Sequence, residues 1–431
     1  VTGRTVVIGG GAAGIAAARR LHDGGADVLL VEAGDRLGGR AWSSQLPFGP
    51  DQIVSAPSTG ALINNGGGKV SATVDLGCGW LHSAGRNPWT SIAECERFVI
   101  DRSSPNWGKQ WRDLGFPPDE QQAFAAAYKR FGTAAHAALD GPDQPLSAFI
   151  AGDDRWRPMI DAISGYANGA PLDQVSLHDW AAYEDAATDD NWALPEGYGT
   201  LVASHAGDLP VRLNTPVTCI NHSGRTISLD TPAGTIEADR LILTVPTSAY
   251  AGIRFDPPLA AKQDAAAALP LGLADKVFLA VDKPEWPAHA HLTGKPYSAC
   301  TASHRLSPFG LPIVESFFGG ACAEAMPNAR AAIDFAMQEL VDLLGSNWHA
   351  RLVPLGATHW RAVPHIHGSY SHARVGHALA RGVLAEPIDD RLFFAGEACS
   401  AHDFSTAHGA YQTGLDAAGV ILGLLAGATP R

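Results

Sequence analysis

The sequence predicts a fold of class α/β plus α+β: one domain built on a parallel sheet, and a second in which a sheet is flanked by helices. Three observations predict it. First, residues 5–8 form a short apolar run ending in Gly9-Gly10-Gly11-Ala12-Ala13-Gly14, followed by an alanine-rich, helix-favouring stretch over 15–21 and a second apolar run over 28–31 that ends at Glu32. Strand, tight turn, helix and buried strand in that order make one βαβ unit. Second, 431 residues exceed what a single hydrophobic core usually organises, so two domains are expected. Third, Leu392-Phe393-Phe394-Ala395-Gly396 and the apolar helix over 407–425 repeat the opening logic near the other end, so the first domain is expected to be assembled from separated stretches.

The elements between follow in order. Residues 45–73 break into proline, serine, asparagine and glycine, including Asn64-Asn65-Gly66-Gly67-Gly68, and read as a loop excursion. Residues 119–139 read as helix, with Phe124, Tyr128 and Phe131 at spacings of four and three. Strands are predicted over 226–229, 234–238 and 241–244, and a helix over about 329–344. The resulting division is 1–97, 193–250 and 380–431 for the dinucleotide-binding domain, and 98–192 and 251–379 for the second.

Composition narrows the function. With 46% hydrophobic and 17% charged residues the chain is ordinary for a globular protein. Its net charge of -13, from 44 acidic and 31 basic residues, argues against a nucleic-acid partner and mildly favours a cationic ligand. Cys78, Cys95, Cys219, Cys300, Cys322 and Cys399 include no C-x-x-C pair, which predicts neither a disulfide framework nor a zinc ribbon and suits a reducing compartment. No stretch approaches the roughly 20 apolar residues of a membrane span, and no signal region precedes the first strand. A cytoplasmic location is expected, with the start at Val1 leaving a removed leader open. Oligomeric state is left open, a homodimer included.

Gly9-x-Gly11-x-x-Gly14 stands where a phosphate-binding turn needs it: Gly9 permits the turn, Gly11 admits a pyrophosphate close to the backbone, and Gly14 lets helix and strand pack. Ala13 lies in the same turn. Glu32, 18 residues after Gly14, is placed to accept hydrogen bonds from a ribose diol, and its charge disfavours a 2′-phosphate. These residues leave NAD and FAD both open.

The stretch Glu32-Ala33-Gly34-Asp35-Arg36-Leu37-Gly38-Gly39-Arg40-Ala41-Trp42-Ser43 resembles the extended fingerprint of the flavin amine oxidases, the superfamily of monoamine oxidase, polyamine oxidase and lysine-specific histone demethylase. Arg36 and Arg40 then flank Gly39 to hold the pyrophosphate of FAD. Further resemblances follow in chain order. Asp75-Leu76-Gly77-Cys78-Gly79-Trp80-Leu81-His82 and Asn87-Pro88 resemble the polyamine oxidase branch, which implies Gly79 and Trp80 at the cofactor and His82 at the substrate amine. Pro195-Glu196-Gly197-Tyr198-Gly199-Thr200-Leu201 is similar to a glycine-rich family stretch, and Asn214-Thr215-Pro216-Val217 to the strand whose valine meets the adenine. Phe394-Ala395-Gly396-Glu397 and Thr406-Ala407-His408-Gly409-Ala410 resemble the family's closing motifs, which aim a helix N-terminus at the flavin's pyrimidine edge.

Leu273-Ala274-Asp275-Lys276-Val277-Phe278-Leu279 resembles the family strand whose lysine faces flavin N5 through a water; without the resemblance, Lys276 reads as ending an edge strand. Trp360 and Pro364-His365-Ile366-His367-Gly368-Ser369-Tyr370-Ser371 resemble the segment lining the substrate side of the ring, with Tyr370 as one wall of an aromatic cage. Ser369 stands where some relatives carry a flavin-linked cysteine, so noncovalent FAD is expected. The sequence departs from the family at the other wall, where Asp403 and Phe404 stand near the place of a tyrosine; Phe404 is the candidate wall and Asp403 a candidate partner for a distal ammonium. Glu184, Asp185, Asp189 and Asp190 read either as a cationic channel or as a solvated loop. His365, His367, His372 and His377 lack cysteine or carboxylate partners in a consistent pattern, so no metal is expected, although His365 and His367 are read as sharing a strand face.

The expected activity is FAD-dependent oxidation of a small amine: hydride leaves the carbon next to nitrogen, the imine hydrolyses, and O₂ becomes hydrogen peroxide. A dehydrogenase or desaturase with another electron acceptor, and an L-amino-acid oxidase, are the alternatives.

Overall fold

The computed structural model describes residues 3–48 and 70–427. The chain opens with β1 (Thr5–Ile8), α1 (Ala12–Asp23) and β2 (Val28–Val31), then the antiparallel pair β3 (Ser43–Phe48) and β4 (Val70–Asp75). The ends of the expected loop excursion are therefore strands, and Asn64 to Gly68 lie outside the described residues. Helices α2 (Pro88–Cys95), α3 (Pro118–His136), α4 (Arg157–Asn168), α5 (Leu177–Ala186) and α6 (Tyr198–Ser204) follow. Next come β5 (Val211–Arg212), β6 (Cys219–Asn221), β7 (Ile227–Thr231), β8 (Gly234–Ala238), β9 (Arg240–Leu243), β10 (Arg254–Asp256) and α7 (Ala260–Ala268). The remainder comprises β11 (Ala274–Val281), β12 (Ala290–Thr293), β13 (Ser303–Leu306), β14 (Ile313–Gly319), α8 (Ala321–Ala325), α9 (Ala329–Leu344), β15 (Leu352–Ala357), α10 (Ala380–Ala385), β16 (Leu392–Phe394) and α11 (Ala407–Gly427).

Five parallel strands in the order β16-β9-β1-β2-β5 form the first sheet, so three distant stretches of chain meet in it. Alternation of side chains serves both faces. Val6, Ile8, Leu241 and Leu243 face one core, while Val7, Leu30 and Ile242 face the other with α1 and α11. Against the first of these cores lies a four-stranded sheet, β10-β6-β7-β8. Its strand β10 pairs with β6, and Ala265 and Leu269 join the same core, so this unit runs past the expected boundary at 250. The third sheet, β12-β13-β14-β11-β15, is backed by α9 through Ile333, Ala336 and Leu340. Helices α3, α4 and α5 share a separate core around Phe131, Trp156 and Trp180.

Two sequence expectations are corrected here. Cys300 and Cys322 form a disulfide with a Cα–Cα distance of 4.6 Å. They lie just before β13 and just after β14, and antiparallel pairing of those strands brings these ends together, which cysteine spacing alone does not reveal. His365 and His367 share no strand: both have left-handed backbone, φ 64° and 59°.

Buried charge ties the layers. Arg381 of α10 pairs with Asp179 of α5 through Nε–Oδ1 at 2.6 Å and Nη2–Oδ2 at 2.8 Å, both residues 2% exposed. Removing one partner of such a pair leaves a buried charge uncompensated. Asp179→Ala is therefore expected to lower unfolding free energy by about 3–5 kcal/mol, seen as a lower urea midpoint; an unchanged midpoint contradicts the assignment.

Burial also lowers the pKa of His82 to about 4, of His291 to about 3 and of His372 to about 4. Between pH ~6.5 and ~4 the unfolded chain then binds protons that the folded chain refuses. Stability is expected to be fully present above pH ~6.5 and to fall as pH drops through that window, by up to about 1.4 kcal/mol per pH unit for each histidine. Denaturant titrations at several pH values check the slope, and a flat profile contradicts it.

Candidate active site

One cavity of about 1480 Å³ runs from the βαβ turn to the third sheet. At its first end Gly9 has φ +107° and carries the chain out of β1 into the turn. A Cβ on Gly14 would stand 1.8 Å from the Gly9 carbonyl oxygen, so a side chain there would push α1 off the strand. Gly11 and Ala13 line the cavity, and the Cβ position of Gly11 meets no described atom within 4 Å. Glu32 closes β2 at the cavity wall, its Oε2 accepting from Gly10 N at 2.6 Å and its Oε1 from Gly34 N at 2.7 Å.

Arg36, Gly39 and Arg40 line the same end. The Arg36 guanidinium lies 4.0 Å over the Trp42 ring and donates to Gly39 O at 2.8 Å; burial pushes its pKa down to about 10. Arg40 Nη1 donates to Ser369 O at 2.7 Å and to Glu397 Oε1 at 2.8 Å. Glu397 is buried, and its Oε2 accepts from Ser371 Oγ at 2.6 Å and Ser405 N at 2.9 Å. Burial alone would raise its pKa; Arg40 and Arg381 outweigh burial and hold the carboxyl below its usual range. Thr406 caps α11, accepting from Gly409 N at 3.0 Å, and with Ala407 reaches the cavity. Val217, Gly79, Trp80 and Trp360 also line it, the Trp360 Nε1 donating to Leu76 O at 3.2 Å.

At the other end Lys276 is buried in β11, which lies between β14 and β15 and is not an edge strand. Its Nζ donates to Asp75 O at 2.9 Å and pairs with Glu315 Oε1 at 2.8 Å. Burial would raise the Glu315 pKa, but Lys276 and Arg305 overcome it and hold the carboxylate ionised. The Tyr370 hydroxyl donates to the Tyr166 carbonyl, and burial pushes its pKa well above the ordinary phenol value, which keeps it neutral as a wall of the cavity. Phe404 lines the cavity 5.6 Å from the Tyr183 ring, with the Arg381 guanidinium 3.6 Å over its own ring. His82 Nδ1 and Asn191 Oδ1 are 2.6 Å apart, with the ring neutral at physiological pH.

Asp403 does not take the place expected of it. Its carboxylate is engaged by Arg86 at 2.9 Å and lies 3.2 Å from His408 Nε2, and it is absent from the cavity wall. Burial works against its charge, but these two partners depress its pKa strongly. Of the acidic run, Glu184 reaches the cavity from α5, whereas Asp190 is bound to Gly85 N. Among the cavity residues that escaped the sequence reading are Glu315, Arg305, Tyr183 and Trp107. Glu315 and Arg305 are brought in by strand pairing and Tyr183 by its helix, while Trp107 lies in a turn between α2 and α3; none carries a local motif.

Comparison with known proteins agrees with this architecture. Residues 12–131 and 141–422 match the family described as flavin containing amine oxidoreductase. The chain is 27% identical to human lysine-specific histone demethylase 2 over 95% of its own length and 52% of that protein, so it spans about half of that relative. It is 27% identical to polyamine oxidase 4 of Oryza sativa subsp. japonica over 96% of this chain and 87% of the relative. Among solved structures, cyclohexylamine oxidase from Brevibacterium oxydans superposes with TM-score 0.71 at 21% identity, covering 99% of this chain and 100% of the other. A putrescine oxidase double mutant redesigned in cofactor binding gives 0.71 at 19%, covering 98% and 99%. The two structures share the fold, and the family match, spanning both ends of the cavity, places this chain in the flavin containing amine oxidoreductase family.

Proposed function

We propose that the protein is an FAD-dependent amine oxidase that converts a small amine to an imine, hydrolysed to an aldehyde or ketone, with O₂ reduced to hydrogen peroxide. The observation that carries this reading is the continuity of one cavity from the βαβ turn to Lys276 and the Tyr370, Tyr183 and Phe404 rings. FAD suits the first end: Gly11 would leave room for its pyrophosphate, Glu32 would accept from a ribose diol, and the start of α11 would offer backbone N–H groups. When bound, FAD supplies the acceptor for a hydride from the carbon next to nitrogen.

The chain's own residues supply the rest. An alkylamine with pKa about 10.4 must spend roughly 4 kcal/mol to be neutral at pH ~7.5, and an apolar slot between aromatic faces lowers that cost while still attracting the amine. The neutral His82 provides a hydrogen-bonding group for an amine without adding charge. Lys276, fixed by Asp75 O and Glu315, would offset the negative charge that oxygen reduction develops beside a bound flavin. Noncovalent cofactor follows from Ser369 in place of a flavin-linked cysteine; the cavity thiol of Cys78 is pushed up to about 12 by burial and stays protonated.

Two tests separate the parts. Acid denaturation is expected to release free FAD, and flavin remaining with the precipitated chain contradicts the noncovalent reading. In the Lys276→Met variant, reoxidation by air after chemical reduction is expected to slow on the order of 100-fold, as for loss of one preorganised electrostatic partner. Reoxidation as fast as wild type contradicts the role given to Lys276.

A further inference from the structure

Arg305, on β13, reaches the substrate end of the cavity with its hydrogen-bonding capacity unspent. Its side chain is 16% exposed, and its guanidinium lies 4.5 Å over the Trp80 ring and 4.7 Å over the Phe309 ring, which hold it in place. The acid beside it is Glu315, whose Oε2 is 3.7 Å from Nη1, longer than a hydrogen bond. Among the described residues no oxygen accepts a hydrogen bond from this guanidinium, and its unpaired nitrogens keep accessible surface.

The local charge is unbalanced. Glu315 also pairs with Lys276 Nζ at 2.8 Å, so one carboxylate serves two cations. The other acids nearby are committed elsewhere. Asp101 lies 3.3 Å from His289 Nε2, and Asp75 accepts from Ser43 Oγ and from the backbone N–H groups of Tyr198 and Gly199. Burial raises the Asp75 pKa, which opposes its ionisation. His291, opposite Arg305 on β12, is neutral, its pKa lowered by burial to about 3. Burial also lowers the Arg305 pKa, but a guanidinium stays charged at neutral pH. A half-enclosed cation in excess favours an anion brought by a ligand.

Resting on the amine oxidase reading, we propose that Arg305 receives a substrate carboxylate, which makes the preferred substrate an amino acid, an amine whose chain also carries a carboxylate. The planar guanidinium offers paired N–H donors that match two carboxylate oxygens. A plain alkyl chain would leave those donors unpaired, and a distal ammonium would meet two cations, Arg305 and Lys276.

Calorimetric titration of the holoenzyme with hexanoate and with hexanamide reads this contact apart from turnover. Hexanoate is expected to bind about tenfold or more tighter. In Arg305→Met that advantage is expected to fall towards one; in Glu315→Gln, which keeps the guanidinium and removes the charge opposing an anion, it is expected to grow. Glu315→Gln keeps the test open if Arg305→Met fails to fold. Anaerobic flavin reduction then compares straight-chain amino acids with the alkylamines and diamines of equal length, and the amino acid is expected to show the lower half-saturating concentration. Hexanoate that binds no better than hexanamide, or an advantage that survives Arg305→Met or shrinks in Glu315→Gln, overturns the assignment. So does a preference for the diamine, which would point instead to Glu184, the acid that reaches the cavity from α5. If hexanoate binds through Arg305 but no amine or amino acid reduces the flavin, the carboxylate site stands and the amine oxidase reading fails.

Discussion

The ion pair between Arg40 and Glu397 holds the site together. Arg40 follows the glycine turn after β2, and Glu397 follows β16, some 357 residues later. Their contact at 2.8 Å closes the wall where the first and last cofactor motifs meet, and Glu397 is fully committed: Arg40 and Ser371 take its oxygens, with Ser405 N donating beside them. Ser371 in turn accepts from Arg381, and Arg381 from α10 grips Asp179 of α5. A continuous series of charge-assisted bonds thus runs from the dinucleotide turn to the helical layer that carries Tyr183. Buried ions of this kind are tolerated only when every partner is present, so the geometry at the two ends of the cavity is set jointly.

The substrate end depends on a different device. A sheet presents alternate residues to one face, and direct pairing aligns them across strands. Lys276 and Glu315 meet because β11 and β14 pair, and Arg305 joins Glu315 because β13 pairs with β14. The same registry extends to β12, where His291 stands opposite Arg305 and also lines the cavity.

Legibility in the sequence followed the distance over which the information acts. The βαβ unit was readable because its turn, helix and acid are contiguous, and Arg36, Arg40, Glu397 and Thr406 were reached because the resemblance supplied motifs around them. Lys276 was located through the resemblance, whereas the residues alone read its strand as an edge, since strand order is a product of tertiary pairing. Glu315, Arg305 and Tyr183 carry no local signature and were missed. Asp403 was a candidate partner for a distal ammonium because it stands near the place of a tyrosine in the family pattern; Arg86, 317 residues away, turns it elsewhere. The disulfide between Cys300 and Cys322 was hidden for the same reason, being decided by how strands end and not by residue spacing, and His365 and His367 lie in a turn after the helical turn at Trp360–Ala362.

The central claim is that the cavity brings an amine to an FAD. Anaerobic mixing of the holoenzyme with a panel of primary and secondary amines, following the flavin absorbance, tests it most directly. The account predicts bleaching by at least one amine, with saturation as its concentration rises. Flavin that dithionite reduces but no amine bleaches would contradict it.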